Sequence, residues 1–110
     1  MEAMALTEAV FYILLSLDSP LHGYGIMQNT EKLSNGRVHL AAGTLYGALN
    51  TLLEKGWIKA LPGAVSSRKK EYQLTQNGRN AVIAEIERLG ELLENGKAIA
   101  GGWKNEEDNS

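Results

Sequence analysis

Residues 8–17, Glu-Ala-Val-Phe-Tyr-Ile-Leu-Leu-Ser-Leu, form an almost unbroken apolar run, and Thr7 before them is a good helix N-cap. A helix that is apolar on most sides must be enclosed by other elements. Asp18-Ser19-Pro20 stops it, because proline disfavours helical geometry in the residue before it. The chain has 110 residues, 44% of them apolar, which suffices for one domain around that helix and argues against wholesale disorder.

The elements that would enclose it follow in order. A second helix is predicted from about His22 to Leu33, with Tyr24, Ile26, Met27 and Leu33 on its apolar face. Gly23 and Gly25 cost helix propensity there, which points to close approach of another backbone, in a packed helix or a ligand. Ser34-Asn35-Gly36 is a C-cap-like turn, and Val38-His39-Leu40 alternates like a short strand. A third helix is predicted from about Gly43 to Lys55. Leu45, Leu49, Leu52 and Leu53 form its buried stripe, and Gly56 is a natural residue to end it. Its opposite face carries Thr44, Tyr46, Gly47, Asn50 and Thr51, which are polar and uncharged. Trp57-Ile58-Lys59-Ala60-Leu61 and Arg68-Lys69-Lys70-Glu71-Tyr72-Gln73-Leu74 then read as a hairpin around Pro62-Gly63, with a basic returning arm. Thr75 would cap a last helix in which Val82, Ile86, Leu89 and Leu93 have heptad spacing. Gly96 weakens that helix and Gly101-Gly102 ends it.

This order defines a mainly α, α+β fold, a winged helix-turn-helix with a C-terminal dimerisation helix. Residues 1–75 would be the DNA-binding domain, 76–102 the dimerisation helix and 103–110 a disordered tail. One such helix cannot bury its heptad stripe alone, so a homodimer is expected. Recognition helices would then lie about one DNA turn, ~34–36 Å, apart.

The formal net charge is −2, but its distribution is uneven. Residues 1–36 set Lys32 against Glu2, Glu8, Asp18 and Glu31. Residues 37–79 set Arg37, Lys55, Lys59, Arg68, Lys69, Lys70 and Arg79 against Glu54 and Glu71 only. The remainder is acidic again. A basic island between acidic ends suits a nucleic-acid contact.

A helix fits the major groove, where its exposed side chains meet base edges and phosphates. Short side chains at the start of the third helix let its N-terminus come close to the DNA backbone. Tyr46 can donate to a phosphate, and Asn50 has the donor–acceptor pair that suits adenine. Arg68, Lys69 and Lys70 would lie over flanking phosphates. On the residues alone, Tyr46 is equally a tyrosine packed on the wing, and Asn50 an ordinary solvent-facing residue. The acidic net charge also suits a winged-helix module that binds proteins and no operator; that alternative stays open. Trp57 reads as core.

Other classes find less support. There is no cysteine, and His22 and His39 lack a second ligand at metal spacing, so no metal is assigned. Gly23-Tyr24-Gly25 is too short for a phosphate loop. No cofactor and no enzymatic activity are expected. No apolar run approaches the ~20 residues of a membrane span, and the N-terminus lacks a basic leader, so a cytoplasmic protein without a membrane partner is expected.

The chain resembles the PadR family of bacterial transcriptional regulators. The resemblance rests on Leu6-Thr7-Glu8-Ala9-Val10 with Ile13-Leu14-Leu15-Ser16-Leu17, and on His22-Gly23-Tyr24-Gly25-Ile26. It continues in Gly43-Thr44-Leu45-Tyr46-Gly47-Ala48-Leu49 with Leu52, Leu53 and Gly56-Trp57-Ile58, and in Lys70-Glu71-Tyr72-Gln73-Leu74-Thr75 with Gly78. These stretches span roughly residues 6–93 in the family's order. The resemblance implies a homodimeric winged-helix repressor that binds an inverted-repeat operator in double-stranded DNA and releases it when a small effector binds. It implies DNA contacts from Tyr24, Thr44, Tyr46 and the basic wing, with Gly43 and Gly47 in the same motif. The single last helix resembles the family's small subgroup. Family effectors include phenolic acids and planar drugs held near the dimer interface. Here Leu6, Val10 and Ile13 would face Ile86, Leu89 and Leu93 there, the same residues (with Val82, without Ile13) that would form the dimer contact. Two departures stand out. Leu89, Leu92 and Leu93 occupy the stretch where some members place an aromatic residue that stacks a flat ligand, and Trp103 lies beyond the Gly101-Gly102 break. Glu71 also dilutes the wing's basic run.

Overall fold

The apolar run forms α1 (Glu8–Ser16), and Thr7 caps it by accepting from the Val10 N–H at 3.1 Å. The computed structural model describes residues 5–62 and 70–103. After α1 come β1 (Leu21–His22), α2 (Gly23–Leu33), α3 (Ala42–Glu54), β2 (Ile58–Leu61), β3 (Glu71–Leu74) and α4 (Gln76–Ala100). This is the winged helix-turn-helix arrangement, mostly helical with a small antiparallel sheet in the order β1-β3-β2.

Ile13, Leu14 and Leu17 of the α1 segment are completely buried, together with Ile26 of α2 and Leu45 and Leu49 of α3. Leu52, Ile58, Tyr72, Leu74 and Val82 complete the core, and Leu53 and Trp57 are half-buried against it. Among the described residues the buried polar side chains are satisfied. Ser16 Oγ donates to the Tyr12 carbonyl at 2.7 Å and accepts from Asn29 Nδ2 at 2.9 Å, which ties α1 to α2.

The register of the hairpin follows the expected alternation, with Ile58 opposite Leu74 and Ala60 opposite Tyr72. The α3 helix closes on Gly56, where the Trp57 N–H bonds the Leu52 carbonyl and the Gly56 N–H bonds the Leu53 carbonyl. Thr75 accepts from the Gly78 N–H and donates to the Gly56 carbonyl at 2.6 Å, so one hydroxyl caps α4 and anchors the end of α3.

One expected element is absent and another takes its place. Val38-His39-Leu40 is not a strand. Its backbone is held locally, by Val38 N–H donating to Ser34 Oγ at 2.8 Å, and His39 pairs with Glu31. The third strand is Leu21–His22, before α2, and it pairs with β3 through Leu21 opposite Tyr72 and His22 opposite Glu71. The predicted α2 therefore starts one residue later, with His22 as its cap. Gly96 lies inside α4, which runs on to Ala100. The expected disordered tail falls, apart from Trp103, outside the described residues. Among the described residues no helix is long and apolar enough to cross a membrane.

Candidate nucleic-acid interface

The apolar stripe of α3 turns inward, so its other face is left to solvent. Gly43, Thr44, Tyr46, Gly47, Asn50 and Thr51 are all exposed there. A Cβ added at Gly43 or Gly47 would meet nothing within 4 Å. Glycine inside a helix costs about 1 kcal/mol relative to alanine, and no other described residue uses the room these two leave. The face is low, polar and open to something outside the molecule. Ala41, the N-cap of α3, makes no side-chain capping bond, so the helix presents first-turn N–H groups and the positive end of its dipole.

Two tyrosines of α2 and α3 are exposed. Tyr24, in the first turn of α2, is 63% exposed, and Tyr46, in the first turns of α3, is 46% exposed. The ring of Tyr46 ends on the backbone of Gly23. A Cβ at Gly23 would overlap Tyr46 Oη and lie 2.9 Å from Cζ. The close approach anticipated at Gly23 is therefore real, but it is made by a side chain rather than by a backbone or a ligand. Burial pushes the Tyr72 hydroxyl above its ordinary value, and Tyr46 nearby adds to the push. His22 Nδ1 accepts from the Gly25 N–H at 3.1 Å and caps α2, a role that a lone histidine before two glycines does not announce in sequence.

Part of the basic island is engaged within the chain. Arg37 hydrogen-bonds both carboxylate oxygens of Glu8, which holds that carboxyl below its usual range. Arg79 pairs with Asp18 at 2.9 Å. Lys55 lies over the Trp57 ring, 5.2 Å from its centroid. Lys59 and Lys70 are exposed and have no carboxylate partner among the described residues. Arg68 and Lys69 lie outside the described residues.

The residues expected at a dimer or effector site separate into groups. Val82 is only 7% exposed and belongs to the chain's own core, whereas Ile86 (51%), Leu89 (42%) and Leu93 (57%) are exposed on α4. Ile13 is wholly buried. Leu6 and Val10 line a groove of about 250 Å³, whose other walls include Ala48, Thr51, Leu52, Lys55 and Trp57. Ile86, Leu89 and Leu93 do not line it.

The fold is that of a winged helix-turn-helix protein, with the polar face of α3 open to solvent. Residues 11–84 match the model of the transcriptional regulator PadR-like family, and the chain belongs to that family. The family is one of transcriptional regulators. The chain is similar to a PadR family transcription regulator from Clostridium difficile R20291, with a TM-score of 0.71 and 21% identity over 84% of this chain and 98% of that one. It is also similar to a PadR-like transcription factor from Bacteroides fragilis, with a TM-score of 0.68 and 26% identity over 84% and 88%. BpsR of Bordetella bronchiseptica, whose DNA binding is regulated by 6-hydroxynicotinic acid, shares the fold at a TM-score of 0.66 and 18% identity over 96% and 72%. In sequence the chain is 34% identical over 90 residues to an uncharacterized 37.1 kDa protein in transposon TN4556 of Streptomyces fradiae. The match takes in 81% of this chain and a quarter (25%) of that relative's length.

Proposed function

We propose that the chain is a homodimeric repressor that sets α3 in the major groove of an inverted-repeat operator and leaves it when a small molecule binds. One observation carries the reading. The exposed face of α3 is uncharged and kept low by Gly43 and Gly47, whose room no other described residue fills. Thr44, Tyr46 and Asn50 read and position on that face, with Tyr24 reaching a flanking phosphate from α2. Lys70, with Arg68 and Lys69 beside it in sequence, supplies electrostatic attraction from the wing. Residues 1–75 serve DNA and 76–102 serve dimerisation, through Ile86, Leu89 and Leu93 and the nearby Leu6 and Val10. The groove beside Leu6 and Val10 backs onto α3, so a small aromatic ligand there would act on the helix that meets DNA. The regulation of BpsR by 6-hydroxynicotinic acid is in keeping with such control.

The test is selection of duplexes from a randomised library, followed by gel-shift titration of the enriched sequence. An enriched inverted repeat, bound more weakly by Tyr46→Ala, supports the reading. No enrichment above a control protein overturns it in favour of a winged-helix module that binds proteins.

A further inference from the structure

Gly23 opens α2 and is buried at the point where α2 meets α3. Its surroundings are fixed on two sides. His22 caps the helix through Gly25 N–H and pairs in the sheet with Glu71 of β3. On the third side Tyr46, the only aromatic residue of α3, ends on the Gly23 backbone. We propose that Gly23 is a positioning residue for DNA binding: its missing side chain leaves the seat on which the Tyr46 hydroxyl end rests, and so holds Tyr46 ready on the face of α3.

The geometry separates this role from a role in folding. The three atoms nearest to a Gly23 Cβ are Tyr46 Oη, Cζ and Cε1, all at the far end of one flexible side chain. Tyr46 is nearly half exposed, so it can swing into solvent and leave the core untouched. Gly23 is not among the positive-φ residues, so alanine suits its backbone and raises the helix propensity of α2. The substitution therefore spares the fold and removes the seat. A tyrosine without its seat must be ordered at the moment of binding, and that lowers affinity. The inference rests on the proposed contact between α3 and DNA.

The experiment is a double-mutant cycle on the full chain, using the duplex that the wild type enriches from a randomised library. G23A is expected to weaken binding by roughly fivefold or more, while G23A in a Y46A background changes affinity by less than about twofold, because coupled residues fail to add. The melting temperature of G23A is expected to equal or exceed the wild-type value. Equal losses in both backgrounds, no loss in either, or a G23A chain that melts well below wild type would each overturn the inference. A wild-type chain that enriches no duplex overturns the proposed function, and the inference falls with it. A wild type that binds while G23A binds equally well overturns the inference alone.

Discussion

The carboxylate of Glu85 accepts a hydrogen bond from the backbone N–H of Leu6 at 3.2 Å, across 79 residues of sequence. Glu85 is buried in α4, and both its oxygens also accept from Arg88 at 2.7 Å. One carboxylate thus fastens the segment before α1 to the base of the long helix. Glu85→Ala takes this partner from the half-buried Leu6 N–H and from the Arg88 guanidinium, and is expected to cost about 1 kcal/mol in urea unfolding. Arg88 chiefly holds the Glu85 carboxyl below its ordinary value of 4.5. A depressed carboxylate stabilises above its unfolded value, and that stability is lost as pH falls through the folded value. Wild type should therefore lose stability below pH 4.5 more steeply than Glu85→Gln. Parallel acid titrations of the two chains would contradict this.

Gly78 sits in the first turn of α4, under the end of α3. A Cβ there would overlap the Trp57 carbonyl oxygen and lie 2.6 Å from Leu74 Cδ1. The first obstacle is backbone, which cannot swing aside. Gly78→Ala is expected to destabilise by about 1–3 kcal/mol, the usual cost of overpacking. Thermal melting reads it directly, and an unchanged midpoint would show that α4 can move away from β2 at no cost.

The wing and the recognition face should answer differently to salt. Replacing Arg68, Lys69 and Lys70 by serine is expected to flatten the plot of log affinity against log salt by about 0.9 for each phosphate no longer neutralised. Asn50→Ala is expected to leave that slope alone and to relax preference at one base pair, at roughly 1–3 kcal/mol. Gel-shift titrations at several salt concentrations separate the two. A triple variant with the wild-type slope would remove the wing from the interface.

Exposed leucine and isoleucine on one stretch of α4 predict self-association. Leu93→Glu, with Leu89→Glu beside it, is expected to convert a dimer to a monomer in sedimentation velocity while leaving the helical signal in circular dichroism. A wild type that sediments as a monomer at micromolar concentration would contradict the dimer itself.

Much of this was legible in sequence because it is local chemistry. Thr7 and Thr75 cap their helices through N–H groups three residues on, and Gly56 closes α3 within two residues. The leucine stripe of α3 fixes which of its faces looks inward, and so leaves Thr44, Tyr46 and Asn50 outside. Helical periodicity carries that information without reference to the rest of the chain.

Tertiary structure decided what depends on partners far away in sequence. A strand of two residues has no pattern to read; Leu21–His22 is one only because β3 offers it an edge. The better-patterned Val38-His39-Leu40 meets no strand and stays a connection held by Ser34 and Glu31. Arg37 and Arg79 have no acidic neighbour in sequence, yet the packing of α1 against its neighbours brings Glu8 and Asp18 to them. Heptad spacing places Val82, Ile86, Leu89 and Leu93 on one side of a helix, but only the docking of α4 on the core buries the first and leaves the others out. The apolar run from which the fold is built belongs to the first kind: its composition required enclosure. Which residues enclose it, and which surfaces are left to solvent, followed from how the helices pack, because a helix face carries no record of the face it will meet.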